Sequence, residues 1–346
     1  MNQNKGAIRN DMSESRFCFS AEILNKKKGS DNMNENKTNI NWYPGHMLKT
    51  KKQMIEDMKL IDVVIEILDA RIPLSSQNPD IQKITSNKKR IVLLNKADLA
   101  DEKQTQKWVQ EFKNKNIIAI PTDSNTGKGT KDIIKKVQEI MKDDIAKAAG
   151  RGRTNKNIRI MIIGIPNVGK SSLINRLANK KSAQVGNKPG VTKQKQWIRI
   201  GQDIELLDTP GVLWPKFEDE KVALNLAYVR SIKDEIIPKT EVAYHLLKNL
   251  YENYKEEIML KYKLTEEEKE SIIPTNEFDE IMNLTNVIAK KRGALISGGE
   301  IDYEKTAGII LTDFRTGKIG KITLEQVNGK KWSRNDVSFN VGIFRR

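Results

Sequence analysis

Short apolar runs recur through the first two-thirds of the chain: Ile61–Leu68, Ile91–Leu94, Ile117–Ile120, Arg159–Gly164 and Ile204–Leu207. Each is of strand length, and stretches with helical spacing lie between them. This alternation predicts an α/β domain, a mostly parallel sheet with helices on both faces. Lys49–Met58 reads as a helix leading into the first strand. After Gly211 the period changes. Val222–Val229, Glu241–Tyr254, Glu277–Arg292 and Tyr303–Phe314 are amphipathic at helical spacing, as in Val242, Leu246, Leu247 and Leu250. The pattern therefore predicts a second, smaller α-helical domain, with the aromatic stripe of Tyr244, Tyr251 and Tyr254 in its core.

Boundaries follow from the same texture. Residues 1–40 are polar, rich in Asn, Lys and Ser, and are expected to be disordered. Phe17, Phe19, Ile23 and Leu24 make an apolar knot too short for a secretory segment, and Met33 is a candidate start. The α/β domain is expected over 41–222, the helical domain over 223–325 and a loose tail over 326–346. Basic, Gly-bearing Lys147–Lys156 reads as a linker inside the first domain.

Composition narrows the class. Of 346 residues, 38% are hydrophobic and 31% charged, a globular balance. No apolar run approaches the roughly 18 residues a membrane span needs, so no membrane partner is expected. Cys18 stands alone, which leaves neither an intrachain disulfide nor a cysteine metal cage and points to a reducing, cytoplasmic setting. Lys and Arg number 61 against 45 Asp and Glu, a net charge of +16. Such an excess favours polyanionic partners through counterion release; the competing reading is a generically basic surface. Clusters at Lys88-Lys89-Arg90, Arg151 with Arg153, Lys290-Lys291-Arg292 and Lys330 to Arg346 favour the first.

The chemistry is concentrated at strand ends. Gly164-Ile165-Pro166-Asn167-Val168-Gly169-Lys170-Ser171 follows one apolar run and opens a helix. Glycines at these spacings let backbone N–H groups wrap a phosphate, and the helix start adds positive potential. Asn167, Val168, Gly169, Lys170, Ser171 and Ser172 are the expected phosphate contacts, with Lys170 bridging β- and γ-phosphates and Ser171 on Mg²⁺. In Asp208-Thr209-Pro210-Gly211, Asp208 would reach Mg²⁺ through water and the Gly211 N–H the γ-phosphate. Thr192, between these motifs, is placed as a switch threonine on Mg²⁺. Lys170 and Thr192 are thus the residues expected to serve hydrolysis.

Asn95-Lys96-Ala97-Asp98 follows the run Ile91–Leu94. The Asp98 carboxylate can accept from both the ring N–H and the exocyclic amine of guanine, whereas adenine would leave it unpaired. The Lys96 stem would lie over the base, and Asn95 would tie this loop to the phosphate loop. Thr122-Asp123-Ser124 could supply a backbone N–H to the guanine oxygen. Together the motifs imply GTP as substrate. Their order is unusual, because the guanine motifs precede the phosphate loop. The fold class expected is therefore a circularly permuted P-loop GTPase domain, which a parallel sheet tolerates because domain termini often lie close together.

The opening Trp42-Tyr43-Pro44-Gly45-His46-Met47, Asp69-Ala70-Arg71-Ile72-Pro73, the permuted order and the late Phe314-Arg315…Leu324-Glu325 stretch resemble the ribosome biogenesis GTPase A family. The likeness spans roughly Trp42–Glu325. It implies binding to the immature large ribosomal subunit and its rRNA, GTP hydrolysis on that particle, and an RNA-binding helical domain; no DNA partner is expected. It also implies that His46 acts near the γ-phosphate, against the alternative that it caps or packs a turn. Asn167 matches the asparagine that ligates K⁺ in cation-stimulated relatives, the alternative being an ordinary loop contact.

Val212 stands where signalling GTPases carry the glutamine that orients water, so slow intrinsic turnover is expected. Two other readings stay open: a GTPase switch with a protein partner, and a GTP-binding RNA-binding protein without significant turnover.

Overall fold

The computed structural model describes residues 45–152, 157–178, 197–201, 203–207, 209, 211, 213, 219–272 and 277–327. The sheet is built from β1 (Val63–Asp69), β2 (Lys89–Asn95), β3 (Ile118–Thr122), β4 (Ile158–Gly164), β5 (Trp197–Ile200) and β6 (Ile204–Leu207). Its order is β3-β2-β1-β4-β6-β5. All pairings are parallel except β5 with β6. β1 is buried at all seven positions, as expected of a central strand covered on both faces.

Alternation sorts the strand residues onto two faces. Val63, Ile65 and Ile67, with Ile91, Leu93, Ile160 and Ile162, pack with α4 (Thr130–Ala149) and α5 (Lys170–Ala178). Val64, Met161, Ile163 and Leu207 pack instead with Met54 and Met58 of α1 (Gly45–Met58) and Ile81 of α2 (Pro79–Ile84). Leu68, Val92 and Leu94 meet Trp108 and Phe112 of α3 (Glu102–Asn114). The result is a doubly wound, three-layer α/β domain, as the sequence pattern implies.

Local chemistry starts these helices. Asn78 accepts from the Asp80 and Ile81 N–H groups, with Pro79 pre-set at the first helical position of α2. Asp101 caps α3 through the Gln104 N–H. Helix α4 runs to Ala149 and so absorbs the first residues of the expected linker Lys147–Lys156. The alanines at 146, 148 and 149 favour helix more strongly than the flanking charge favours loop. Strand β5 was not among the predicted runs; it is a four-residue, partly exposed edge strand.

The helical half comprises α6 (Glu220–Tyr228), α7 (Lys239–Asn253), α8 (Lys255–Tyr262), α9 (Glu266–Ser271), α10 (Glu277–Lys291) and α11 (Tyr303–Arg315). α7 is central and packs against α6, α8, α10 and α11; its Leu246, Leu247 and Leu250 are fully buried. Tyr254 is buried in the same cluster, and Tyr244 and Tyr251 pack against it. That apolar cluster is continuous with the one on the α4–α5 face of the sheet.

Beyond α11 the chain returns to the sheet as a strap. The Ile322 N–H donates to the Leu99 carbonyl (3.0 Å) and the Leu324 N–H to that of Arg71 (2.9 Å). Glu325 is wholly buried: its carboxylate accepts from the Leu74 N–H, the Ser75 N–H and hydroxyl, and the Asn225 amide. Trp108 Nε1 donates to its backbone carbonyl at 2.7 Å. No helix among the described residues is long and apolar enough to cross a membrane.

Candidate nucleotide site

Sheet register brings the motifs into one row. Asp69 pairs with Asn95, Asn95 with Thr122, and Ile67 with Gly164. The loops after β1, β2, β3 and β4 therefore emerge side by side at the carboxyl edge. β1 and β4 are adjacent and their chains leave in opposite directions along the sheet. That is the topological switch point where open α/β sheets bind ligands.

The phosphate-loop pattern spans this switch point. Gly164 ends β4 and Lys170 begins α5. Lys170 is buried, and its ammonium donates to the carbonyls of Gly164 (3.2 Å) and Ile165 (3.0 Å). Gly211 faces it from the next loop: a Cβ there would lie 2.6 Å from Lys170 Nζ and 2.9 Å from Pro166 Cα. Gly169 has φ +105°, and a Cβ on it would come within 2.3 Å of Asn95 Nδ2. Only glycine fits at that junction. Val168 is buried, while Ser171, Ser172 and Asn167 are exposed. The Asn167 side-chain amide donates to the Arg230 carbonyl at 2.6 Å.

Asn95 is the hub. Its amide Nδ2 donates to the Val168 carbonyl at 2.7 Å. Its Oδ1 accepts from the Ser124 N–H (3.0 Å), the Ser124 hydroxyl (2.8 Å) and the Thr122 hydroxyl (3.3 Å). Arg176 of α5 clamps the same loop by donating to the Ser124 carbonyl at 3.0 Å and to that of Asn125. In the Asp123–Ser124 segment, where a backbone N–H is expected to reach the guanine oxygen, the backbone donors have partners within the chain. The Ser124 N–H goes to Asn95, the Asp123 N–H to the Lys128 carbonyl, and the Asn125 N–H to the Asp123 carboxylate. Burial alone would raise the Asp123 pKa, but hydrogen bonds from Thr126 and the adjacent backbone hold it low.

Asp98 is exposed at the end of its loop. Partial burial and the neighbouring Asp123 carboxylate raise its pKa. Lys96 has a left-handed backbone (φ 59°), and its ammonium sits 3.0 Å from Asp69 Oδ2.

A family model described as "50S ribosome-binding GTPase" matches residues 159–277. "Ribosome biogenesis GTPase A" of Bacillus cereus is 46% identical over 286 residues, covering 83% of this chain and 93% of the relative. Its counterpart from Bacillus licheniformis is 48% identical over 287 residues, covering 83% and 98%. This chain belongs to the ribosome biogenesis GTPase A family. The GNP-bound structure of YlqF from T. maritima is similar at 29% identity, with a TM-score of 0.56, over 80% of this chain and 98% of that one.

Within this family's fold, His46 falls in the first turn of α1. Thr192, Asp208 and Val212 lie outside the described residues. The described part of the switch segment is Thr209, whose hydroxyl donates to the Ile162 carbonyl, together with Gly211 and Leu213.

One basic cluster is spent internally: Lys88 donates to the Ile61 carbonyl, Lys89 pairs with Asp144, and Arg90 lies 3.3 Å from Glu66. Lys290, Lys291, Arg292 and Arg151 are all exposed, with Lys291 paired to Glu268 and Arg292 to Asp313. The residue that sequence reasoning passed over is Asp69. In the sequence it stands only within a family signature, yet it is wholly buried beneath the Asn95–Asp98 loop. Burial would raise its pKa, but the Arg71 guanidinium and Lys96 ammonium hold it well below the usual carboxylate range.

Proposed function

We propose that this GTPase acts on the large ribosomal subunit during its assembly, in the cytoplasm, turning GTP over slowly until the particle stimulates it. The observation that carries the nucleotide assignment is the Asn95 hub, which ties the base-reading loop to the phosphate loop across the switch point. In this reading Asp98 reads the guanine edge through its two carboxylate oxygens and Lys96 covers the base. Asn167 to Ser172 wrap the phosphates, with Lys170 moving its ammonium from loop carbonyls onto β- and γ-oxygens. The Gly211 N–H, opposite Lys170, faces the γ-phosphate.

Ser171, Thr192 and Asp208 would hold Mg²⁺. Two hydroxyls and one carboxylate suit a hard cation that keeps water and phosphate as its other ligands. Ser171, at the start of α5, is exposed and so accessible to such an ion. Mg²⁺ held by these residues would neutralise developing charge on the phosphate oxygens. With the Asn167 amide nitrogen on Arg230, its Oδ1 is the atom that would take K⁺. Val212 cannot orient water, so His46 takes that role on the particle: a neutral imidazole accepts a water proton near pH 7. Exposed Lys290 and the basic tail provide the salt-dependent attraction to rRNA.

Steady-state GTP turnover with and without purified large subunits, in K⁺ and in Na⁺ buffers, tests this reading. Stimulation by the particle, larger in K⁺, is the expected result. Equal turnover with and without particles, together with no salt-dependent cosedimentation, would favour a switch with a protein partner.

A further inference from the structure

Lys96 is a half-buried lysine on a left-handed backbone, and its ammonium has a fixed address. That address is Asp69 Oδ2, 3.0 Å away, at the buried end of β1. Asp69 is shared. Arg71 Nε donates to Oδ1 and Nη2 to Oδ2, both at 2.9 Å, and the Arg71 N–H also reaches Oδ1 at 3.1 Å. A planar fork on both carboxylate oxygens fixes the plane of the acid, and with it the lone pair left for Lys96.

Arg71 is 1% exposed, and what buries it comes from the other half of the protein. Its guanidinium lies 5.1 Å from the centre of the Phe314 ring, and Nη1 reaches the Arg315 carbonyl at 3.5 Å. Its own carbonyl accepts from Leu324 of the strap. The strap holds the far end of the guanine loop as well. Ile322 donates to Leu99, and the Asp101 N–H donates to the Thr323 hydroxyl at 3.1 Å. Gly317, at φ 70°, passes so close that a Cβ would meet Leu99 Cδ2 at 2.8 Å.

We propose that Arg71 is a positioning residue for guanine recognition, which fixes Lys96 over the base through Asp69 and makes that fixation depend on docking of the segment Phe314–Glu325. The inference rests on reading Asn95–Asp98 as the guanine loop. The expected phosphate contacts, Asn167–Ser172 and Gly211, take no part in this chain of contacts. Loosening Arg71 therefore weakens GDP and GTP binding in step and leaves the chemical step alone. Asp98 keeps its acceptor pattern, so discrimination of GTP from XTP also persists. Anything that shifts the C-terminal helices on the sheet changes guanine nucleotide affinity by the same route, and by linkage nucleotide binding changes the affinity of whatever binds those helices.

The test uses the full chain with Arg71→Gln, Arg71→Lys, Phe314→Leu and Glu325→Gln, titrated with fluorescent GDP and a non-hydrolysable GTP analogue, and assayed for GTP turnover. Arg71→Gln is expected to lose about tenfold in affinity for both nucleotides, the cost of one charge-assisted contact. KM should rise to match, with kcat at saturating GTP within about twofold of the wild type. Arg71→Lys should recover part of the loss. Glu325→Gln, which weakens the strap's anchor on Leu74 and Ser75, should raise KM in the same direction.

Unchanged GDP affinity in a folded Arg71→Gln chain overturns the proposal, as does a fall in kcat at constant KM. If that variant does not fold, Phe314→Leu and Glu325→Gln decide, and wild-type nucleotide affinity in both overturns it. A wild-type chain unable to bind GDP, or a Lys170→Ala chain that binds GTP normally, would instead sink the site assignment.

Discussion

The side-chain amide of Asn95 donates to the carbonyl of Val168 at 2.7 Å, across 73 residues of sequence. This single bond joins the loop that follows β2 to the loop that follows β4. Asn95→Asp keeps the acceptor for Ser124 but replaces the donor with a second carboxylate oxygen facing a carbonyl. The variant should lose at least about tenfold in GDP affinity, because a buried acceptor is left unpaired against a charge. Titration with a fluorescent GDP analogue measures this, and wild-type affinity would show that the two loops hold their positions without the bond.

Asp98→Asn should exchange guanine for xanthine preference. The carboxamide offers a donor where guanine also offers one, while xanthine presents an oxygen there. GTP and XTP affinities measured side by side give the answer; unchanged GTP selectivity would move base reading elsewhere.

Glu66 offers a pH test of the fold. It is 2% exposed in the middle of β1, and its Oε2 has no hydrogen-bond partner. Burial, only partly offset by Arg90, pushes its pKa up to about 7 from 4.5. The folded state therefore holds its proton more tightly than the unfolded state. That contribution is complete below pH 4.5 and is lost as pH rises towards about 7. Glu66→Gln should be more stable than the wild type by about 1–3 kcal/mol at pH 8 and differ little at pH 4.5. Urea unfolding at both pH values checks this; a variant equally stable or weaker at pH 8 would mean that the Arg90 contact outweighs desolvation.

His46→Ala should keep GTP affinity and particle binding but lose at least about tenfold in particle-stimulated turnover, the usual scale for a proton-accepting or water-positioning group. Stimulated rates equal to the wild type would leave His46 with a role in α1 alone. Loss of particle binding would place it at the interface.

Much of this protein is local chemistry, and that part is legible in the chain. Apolar runs such as Ile91–Leu94 set strands because β-branched and large aliphatic residues fill a sheet covered on both faces. Motif glycines mark the loops because only they permit the required approach, as Gly169 does beside Asn95. The order of those motifs specifies a permuted GTPase, and the signatures at Trp42–Met47, Asp69–Pro73 and Phe314–Glu325 point to its family. Contacts between distant segments were decided by tertiary structure alone. A serine N–H can serve a ligand or Asn95, and packing of the 123–127 loop under Arg176 gives Ser124 to Asn95. Lys88, Lys89 and Arg90 read as an anion patch, yet the fold spends them on Ile61, Asp144 and Glu66. Asp69, Arg71 and Phe314 likewise gain meaning only when the strap brings residues of the far end of the chain onto Arg71 and the loop after β2. The physical reason is common to all three. A polar side chain is compatible with many partners, and which one it takes is set by register and burial, which the whole fold determines at once.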